Sequence, residues 1–279
     1  MSLRTLKQAV TYGTAQLIHS DTAQLDTELL LLHVIQQPRT VLYTHPHTEL
    51  NLQQTAQFDE LLKRRCQGEP VAYIIGQQGF WDLDLEVSPH TLIPRPDTEA
   101  LVDWVLENIS SPRRILDLGT GTGALALALA KEFPSAQVYG VDLISESVAL
   151  AQRNAKRNQV NNVHFMQSEW FSNVTQGPFD LIVSNPPYID PDDPHLKQGD
   201  VRFEPSSALI SDDHGMADIR IICQQASAYM CKGGVLVIEH GYDQGETVAA
   251  CFVDCGWHAV ATEKDLALRP RFTHGVHDV

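Results

Sequence analysis

Basic side chains are scarce in this chain: 20 Lys and Arg stand against 35 Asp and Glu, a formal net charge of −15. The deficit is uneven. Residues 1–72 hold six Lys/Arg and seven Asp/Glu, so −14 falls on residues 73–279. A phosphate backbone is bound largely by Lys and Arg that replace its counterions, which argues against direct nucleic-acid binding. Cysteine is also sparse. Cys66, Cys223, Cys231, Cys251 and Cys255 form no CxxC pair, the usual spacing of a zinc site. An odd count suits reduced thiols in a cytoplasmic protein. The twelve histidines are scattered, and no metal is expected. Long apolar runs are missing, and the opening MSLRTLKQAVTYGTAQLIHSD lacks the core of a secretory signal. No membrane partner is expected, and a monomer is. Internal repeats and low-complexity tracts are absent too. What remains, 43% hydrophobic and 20% charged, is the composition of a globular protein.

Residues 1–72 read as a helical N-terminal domain for recognising a partner. A strongly apolar stretch, Thr27–Ile35, follows candidate caps at Ser20, Asp21 and Asp26. A second helix runs from Leu52 to Gln67, with Phe58, Leu61, Leu62 and Arg65 at helical spacing. Residues 73–96 form a linker. Val71–Gly76, which runs into it, and Gly79–Val87 within it alternate apolar residues between glycines, as in a β-hairpin. From residue 97 to 279 strands alternate with helices, which predicts an α/β fold with a doubly wound, mostly parallel sheet. The strands are read at 115–118, 137–142, 163–166, 181–183 and 235–238, with two more around Arg269-Pro270-Arg271 as an antiparallel edge.

Two segments carry chemistry. Asp117-Leu118-Gly119-Thr120-Gly121-Thr122-Gly123 follows a strand and precedes a helix. Glycines there let the backbone turn and approach a ligand. Asp142 closes the next strand, 23 positions after Gly119, where an acid accepts ribose hydroxyls. Together they imply an adenosine-containing cofactor. The glycine spacing alone also satisfies a dinucleotide pattern. Asp117, two residues before the first glycine, is unwelcome beside a pyrophosphate but suits a cationic ligand. The second segment is Asn185-Pro186-Pro187-Tyr188, which closes the apolar run Phe179–Ser184. Two prolines cannot continue a central strand, so the chain leaves the sheet at its carboxyl end, where ligands bind. An amide oxygen and nearby carbonyls beside an aromatic ring make a holder for a flat, conjugated NH2 group. Both an amide and an adenine amino group satisfy it.

DLGTGTG, Asp142 and NPPY in this order resemble class I S-adenosylmethionine-dependent methyltransferases that modify planar nitrogens, a Rossmann-like fold. GEPVAYIIG at 68–76, LIPRPDTE at 92–99 and FEPSSAL at 203–209 narrow the resemblance to the peptide chain release factor glutamine methyltransferases, the PrmC/HemK type. It spans nearly the whole chain. It implies cofactor contacts from Asp117, Gly119, Thr120, Gly121, Thr122, Gly123, Asp142, Trp170 and Asn185. It places the glutamine of a class 1 release factor's Gly-Gly-Gln motif against Asn185, Pro186, Pro187 and Tyr188, with Asn185, Pro186 and Tyr188 catalytic. In that scheme Asn185 Oδ1 and the Pro186 carbonyl accept the two amide hydrogens, and Tyr188 packs on the amide. No dedicated strong base stands out, and Glu204 is read as loop support. Ribosomal-protein glutamine methyltransferases and DNA adenine methyltransferases share NPPY. The former tend to carry a Pro-Arg-Ser-Pro segment where this chain has Pro94-Arg95-Pro96-Asp97, and the latter need a basic track. Two departures stand out: Asp97 where the family usually has Glu, and Ala267-Leu268-Arg269-Pro270-Arg271 where it often has a Gly-Arg-Asp-Arg-like stretch.

Overall fold

A computed structural model describes residues 4–278. They form two compact units. One runs to Gly76 and includes Gln198–Phe203; the other comprises Gln77–Lys197 and the chain from Glu204 onward.

The first unit is helical. Helix α1 (Leu6–Gln16) opens with a capping box, in which the Thr5 side chain accepts from Gln8 N and the Gln8 side chain accepts from Thr5 N. Helix α2 (Ala23–Ile35) begins a turn earlier than the apolar pattern suggests. Asp26 therefore lies inside the helix rather than capping it. It is buried and accepts from Ser20, Thr22 and Arg65. After α3 (Val41–Thr44), helix α4 (Leu52–Cys66) carries a second capping box, between Asn51 and Gln54. Leu30, Leu31, Phe58 and Leu62 meet in its core. The first arm of the expected hairpin is instead a short helix, α5 (Val71–Ile75), between Pro70 and a left-handed Gly76. Pro70 presets φ at the helix start and Gly76 ends it without a Cβ clash. Short apolar runs do not separate strand from helix by period alone.

In the second unit the hairpin is β1 (Gln77–Phe80) and β2 (Leu83–Glu86). Then come α6 (Glu99–Asn108), β3 (Arg114–Leu118), α7 (Ala124–Glu132), β4 (Gln137–Asp142), α8 (Ser145–Arg157), β5 (Val163–Gln167) and β6 (Phe179–Ser184). A long connection leads through the turn α9 (Asp212–Gly215) to α10 (Ala217–Ala226), β7 (Met230–Glu239), α11 (Gly245–Asp254), β8 (His258–Lys264) and β9 (Pro270–Val276). The sheet order is β5-β4-β3-β6-β7-β9-β8. Its first five strands are parallel, and β9 is antiparallel to both β7 and β8. This is the doubly wound α/β sheet with an antiparallel edge that the sequence predicts.

Two cores sandwich the sheet. Ile115, Leu127, Val138 and Val183 point to one face; Leu116, Ile182, Ile219 and Phe252 point to the other. Central strands buried on both faces explain their unbroken apolar runs. The chain steps outward from β3 to β5 and returns to β6 on the other side of β3. That reversal creates a crevice at the carboxyl ends of β3 and β6. Ser184 Oγ donates to Leu118 O at 2.8 Å, fully buried, and pins those two ends together. Asn154 of α8 fastens the hairpin to the glycine turn: its amide bonds Glu86 N and O and Thr122 O at 2.7–2.9 Å.

Candidate active site

The crevice is walled by the glycine turn, residues 90–98, Asp142–Ile144, Ser168–Trp170, Asn185 and Pro187, and residues 207–210. Strand β3 delivers Asp117 and β4 delivers Asp142 to its floor. Asp117 is 1% exposed, and its Oδ2 accepts from Thr120 Oγ1 at 2.6 Å and Ala126 N at 3.2 Å. Burial dominates those bonds and pushes its carboxyl up to about 7, with the Asp142 charge acting in the same direction. Asp142 is also raised by burial, against the backbone N–H groups of Ile144 and Gly121. Gly121 N reaches its Oδ2 and Ile144 N its Oδ1, each at 2.9 Å. Each oxygen keeps a lone pair for a further donor.

The glycines are not equivalent. Gly119 (φ +71°) approaches the Trp170 ring, which a Cβ would meet at 3.5 Å. Gly123 (φ +85°) does not face the crevice. A Cβ there would press on Phe165, Ala151 and Leu127 at 3.1–3.2 Å, so this glycine serves helix entry and packing. Trp170 itself sits at φ +45°, costly for an aromatic residue. Ser168 holds it: its Oγ donates to Trp170 O at 2.8 Å and accepts from Asn173 N at 2.9 Å.

Asn185 emerges beside Thr98, and its Nδ2 lies 3.4 Å from Thr98 Oγ1. Pro187 lines the crevice as Asn185 does, while Pro186 is buried beside it and Tyr188 packs into the core beneath. The Tyr188 phenol is raised by burial and bonded by Arg271. Its backbone is clamped as well. Gln244 Nε2 donates to Tyr188 O at 3.0 Å, and a Cβ at Gly215 (φ +81°) would stand 2.1 Å from that oxygen.

Several contributors escape the sequence patterns. Glu239 ends β7 and is 1% exposed. Thr98 precedes α6 but its side chain makes no capping bond. Arg271 bonds Asp265 at 3.1 Å and Asp97 at 3.2 Å. The two departures from the family pattern, at Asp97 and in the 267–271 segment, thus meet in one ion pair. Glu204 is buried against Arg95, Nη2 to Oε1 2.5 Å, a supporting contact. The one signal for Glu239 is a carboxylate directly after the buried run Val235–Ile238, at the sheet's ligand-binding end.

The fold and crevice are those of a methyltransferase. Residues 96–204 match the methyltransferase small domain family. In fold the chain resembles a Pyrococcus furiosus methyltransferase (TM-score 0.57, 18% identity, covering 79% of this chain and 100% of that one). It also resembles the human Mettl16 catalytic domain solved with an RNA hairpin (TM-score 0.59, 12% identity, 78% and 81%). Residues 8–76 match the PrmC N-terminal domain family. The release factor glutamine methyltransferase of Escherichia coli is 50% identical over 94% of this chain and 95% of its own. That of Vibrio cholerae is 49% identical over 97% and 96%. This chain belongs to the release factor glutamine methyltransferase family.

Proposed function

We propose that this protein methylates the side-chain amide nitrogen of the glutamine in the Gly-Gly-Gln motif of class 1 peptide chain release factors, with S-adenosylmethionine as donor. One observation carries the reading: Asn185 lines the same crevice as the buried Asp117, the half-buried Asp142 and the glycine turn. The crevice suits that donor. Asp117 is an anion for a cationic ligand, Asp142 has lone pairs for ribose hydroxyls, and Gly119 leaves room beside the Trp170 ring for an adenosine. Thr120, Gly121 and Thr122 supply the remaining wall, and Gly123 shapes it from behind. When bound, the donor supplies an electrophilic methyl group on a sulfonium.

An amide nitrogen is a weak nucleophile because its lone pair is delocalised. In this reading Asn185 Oδ1 and the Pro186 carbonyl accept its two hydrogens, fix its plane and stabilise the positive charge that grows on nitrogen. Pro187 and Tyr188 shape the slot and exclude water. Holding the reactants in line is worth about 7–11 kcal/mol in favourable systems. The proton leaves after transfer. Residues 1–72, part of the first compact unit, are assigned to recognition of the release factor. The protein acts in the cytoplasm, as a monomer, without direct nucleic-acid contact.

The test offers labelled S-adenosylmethionine with a release factor, ribosomal proteins or DNA. Label in the Gly-Gly-Gln peptide is expected; label only in DNA or ribosomal protein would overturn the assignment. Asn185→Ala should lower turnover about 10²–10³-fold while leaving donor affinity near wild type.

A further inference from the structure

Asn185 can serve as an acceptor only if its amide is held one way round. The two edges of an asparagine amide have opposite hydrogen-bonding character. An edge-reversed Asn185 would point an NH2 group at the substrate's own NH2. Something must select the edge, and the sheet register locates it. Strands β6 and β7 are parallel with Ser184 paired to Ile238, so Glu239, the last residue of β7, comes one position after Ile238 as Asn185 comes one position after Ser184. The Thr98 hydroxyl and the Asn185 amide both bond its carboxylate. Glu239 Oε2 has no hydrogen-bond partner among the described residues. An ionised carboxylate only accepts, so the amide edge turned toward it is the NH2 edge. The 3.4 Å approach of Asn185 Nδ2 to Thr98 Oγ1 has the same sense.

We propose that Glu239 is a positioning residue for methyl transfer: its buried carboxylate, with Thr98, holds the Asn185 amide with Nδ2 inward and Oδ1 toward the acceptor nitrogen. The inference rests on the glutamine-amide reading of the site. It adds an electrostatic relay. As positive charge grows on the acceptor nitrogen it polarises Asn185, and the carboxylate behind Nδ2 stabilises that polarisation. Glu239 moves no proton in this scheme.

The surroundings set when the carboxylate is charged. Burial pushes it up to about 7. The bonds from Thr98 and Asn185 and the charge of Arg271 on β9 pull it down, and Asp97 before α6 pushes it up. Tyr188 lies within reach of the same charge and stays protonated, its phenol raised first by burial. His240, the next residue, is held neutral by burial and bonds Thr273 Oγ1 at 2.9 Å. The positioning anion is therefore present above about pH 7 and lost below it.

Glu239→Gln preserves shape but offers either edge. It should lower kcat by about tenfold or more, with KM for the release factor and donor affinity within about twofold of wild type. The wild-type kcat should rise with pH through about 7, and that limb should vanish in the variant. Thr98→Ala should behave like E239Q, and Thr98→Ser should restore the rate. A wild-type kcat and pH profile in E239Q would overturn the proposal. A readout free of substrate separates this from the reading above. In 15N spectra of the wild-type protein the Asn185 side-chain NH2 signals should move with the Glu239 titration, and in E239Q they should not. Wild-type protein that labels no release factor defeats the functional reading. Asn185 signals that ignore pH defeat the positioning role whatever the substrate.

Discussion

Lowering the pH from 7 to 5.5 should weaken S-adenosylmethionine binding about fifteenfold, through Asp117. Burial pushes its carboxyl up to about 7 in the free protein, so it is half ionised at pH 7 and roughly 3% ionised at pH 5.5. A cationic ligand favours the anion. Binding then requires the proton to leave, and affinity follows the ionised fraction. The sign is opposite to that of a carboxylate held low by an ion pair, which would be charged throughout this range. Isothermal calorimetry checks both parts: the dissociation constant across pH 5.5–7, and proton release, read by repeating the titration in buffers of different ionisation enthalpy. Asp142 is raised by burial as well and contributes a slope of the same sign. Asp117→Asn should therefore keep only the Asp142 part. A flat affinity in the wild type, or an unchanged slope in D117N, would refute the assignment of Asp117 to the cationic end of the donor.

Two further outcomes follow from packing and burial. Gly215→Ala should cost about 1–2 kcal/mol for the left-handed backbone alone, and more because its Cβ would stand 2.1 Å from Tyr188 O; thermal unfolding and turnover should both fall, and wild-type values for both would remove the clamp from the argument. Glu239 binds its proton more tightly folded than unfolded, so its contribution to stability is lost as pH rises from about 4.5 toward 7. The melting temperature of Glu239→Gln relative to wild type should accordingly climb between pH 5 and pH 8, and a constant difference would count against the buried acid.

The sheet was legible because its central strands are buried on both faces. Residues 138–141 and 181–183 supply their apolar centres, and Asp142 and the Asn185-Pro186 pair mark where the two strands stop. The glycine turn was legible for the same local reason. Less so was α1, whose boundary lies in a reciprocal bond between Thr5 and Gln8 rather than in an apolar stripe. Val71–Ile75 misled because five apolar residues fit either period, and the choice fell to Pro70 and Gly76. Helix α11 opens with Gly245, a poor helix former, and left no clear start signal. Of the residues singled out in the sequence, Asp117, residues 119–122, Asp142, Trp170, Asn185 and Pro187 line the crevice, whereas Gly123, Pro186 and Tyr188 stand behind it. Glu239, Thr98 and Arg271 come from three distant segments; the register of β6, β7 and β9 brings Glu239 and Arg271 to Asn185 and Tyr188, and the turn before α6 brings Thr98.

The position of β9 also bears on how the enzyme is made. Arg271, the guanidinium against Tyr188 and Asp97, lies 86 residues after Asn185 in the chain. At about 5–20 residues per second of synthesis, the Asn-Pro-Pro-Tyr turn exists for about 4–17 s before its last support has been polymerised. Strand β9 takes the place between β7 and β8, both of which precede it in the chain. Chain order thus separates the Asn-Pro-Pro-Tyr turn from the guanidinium that supports it, and any truncation before β9 removes that support while leaving the glycine turn and Asp142 in the chain.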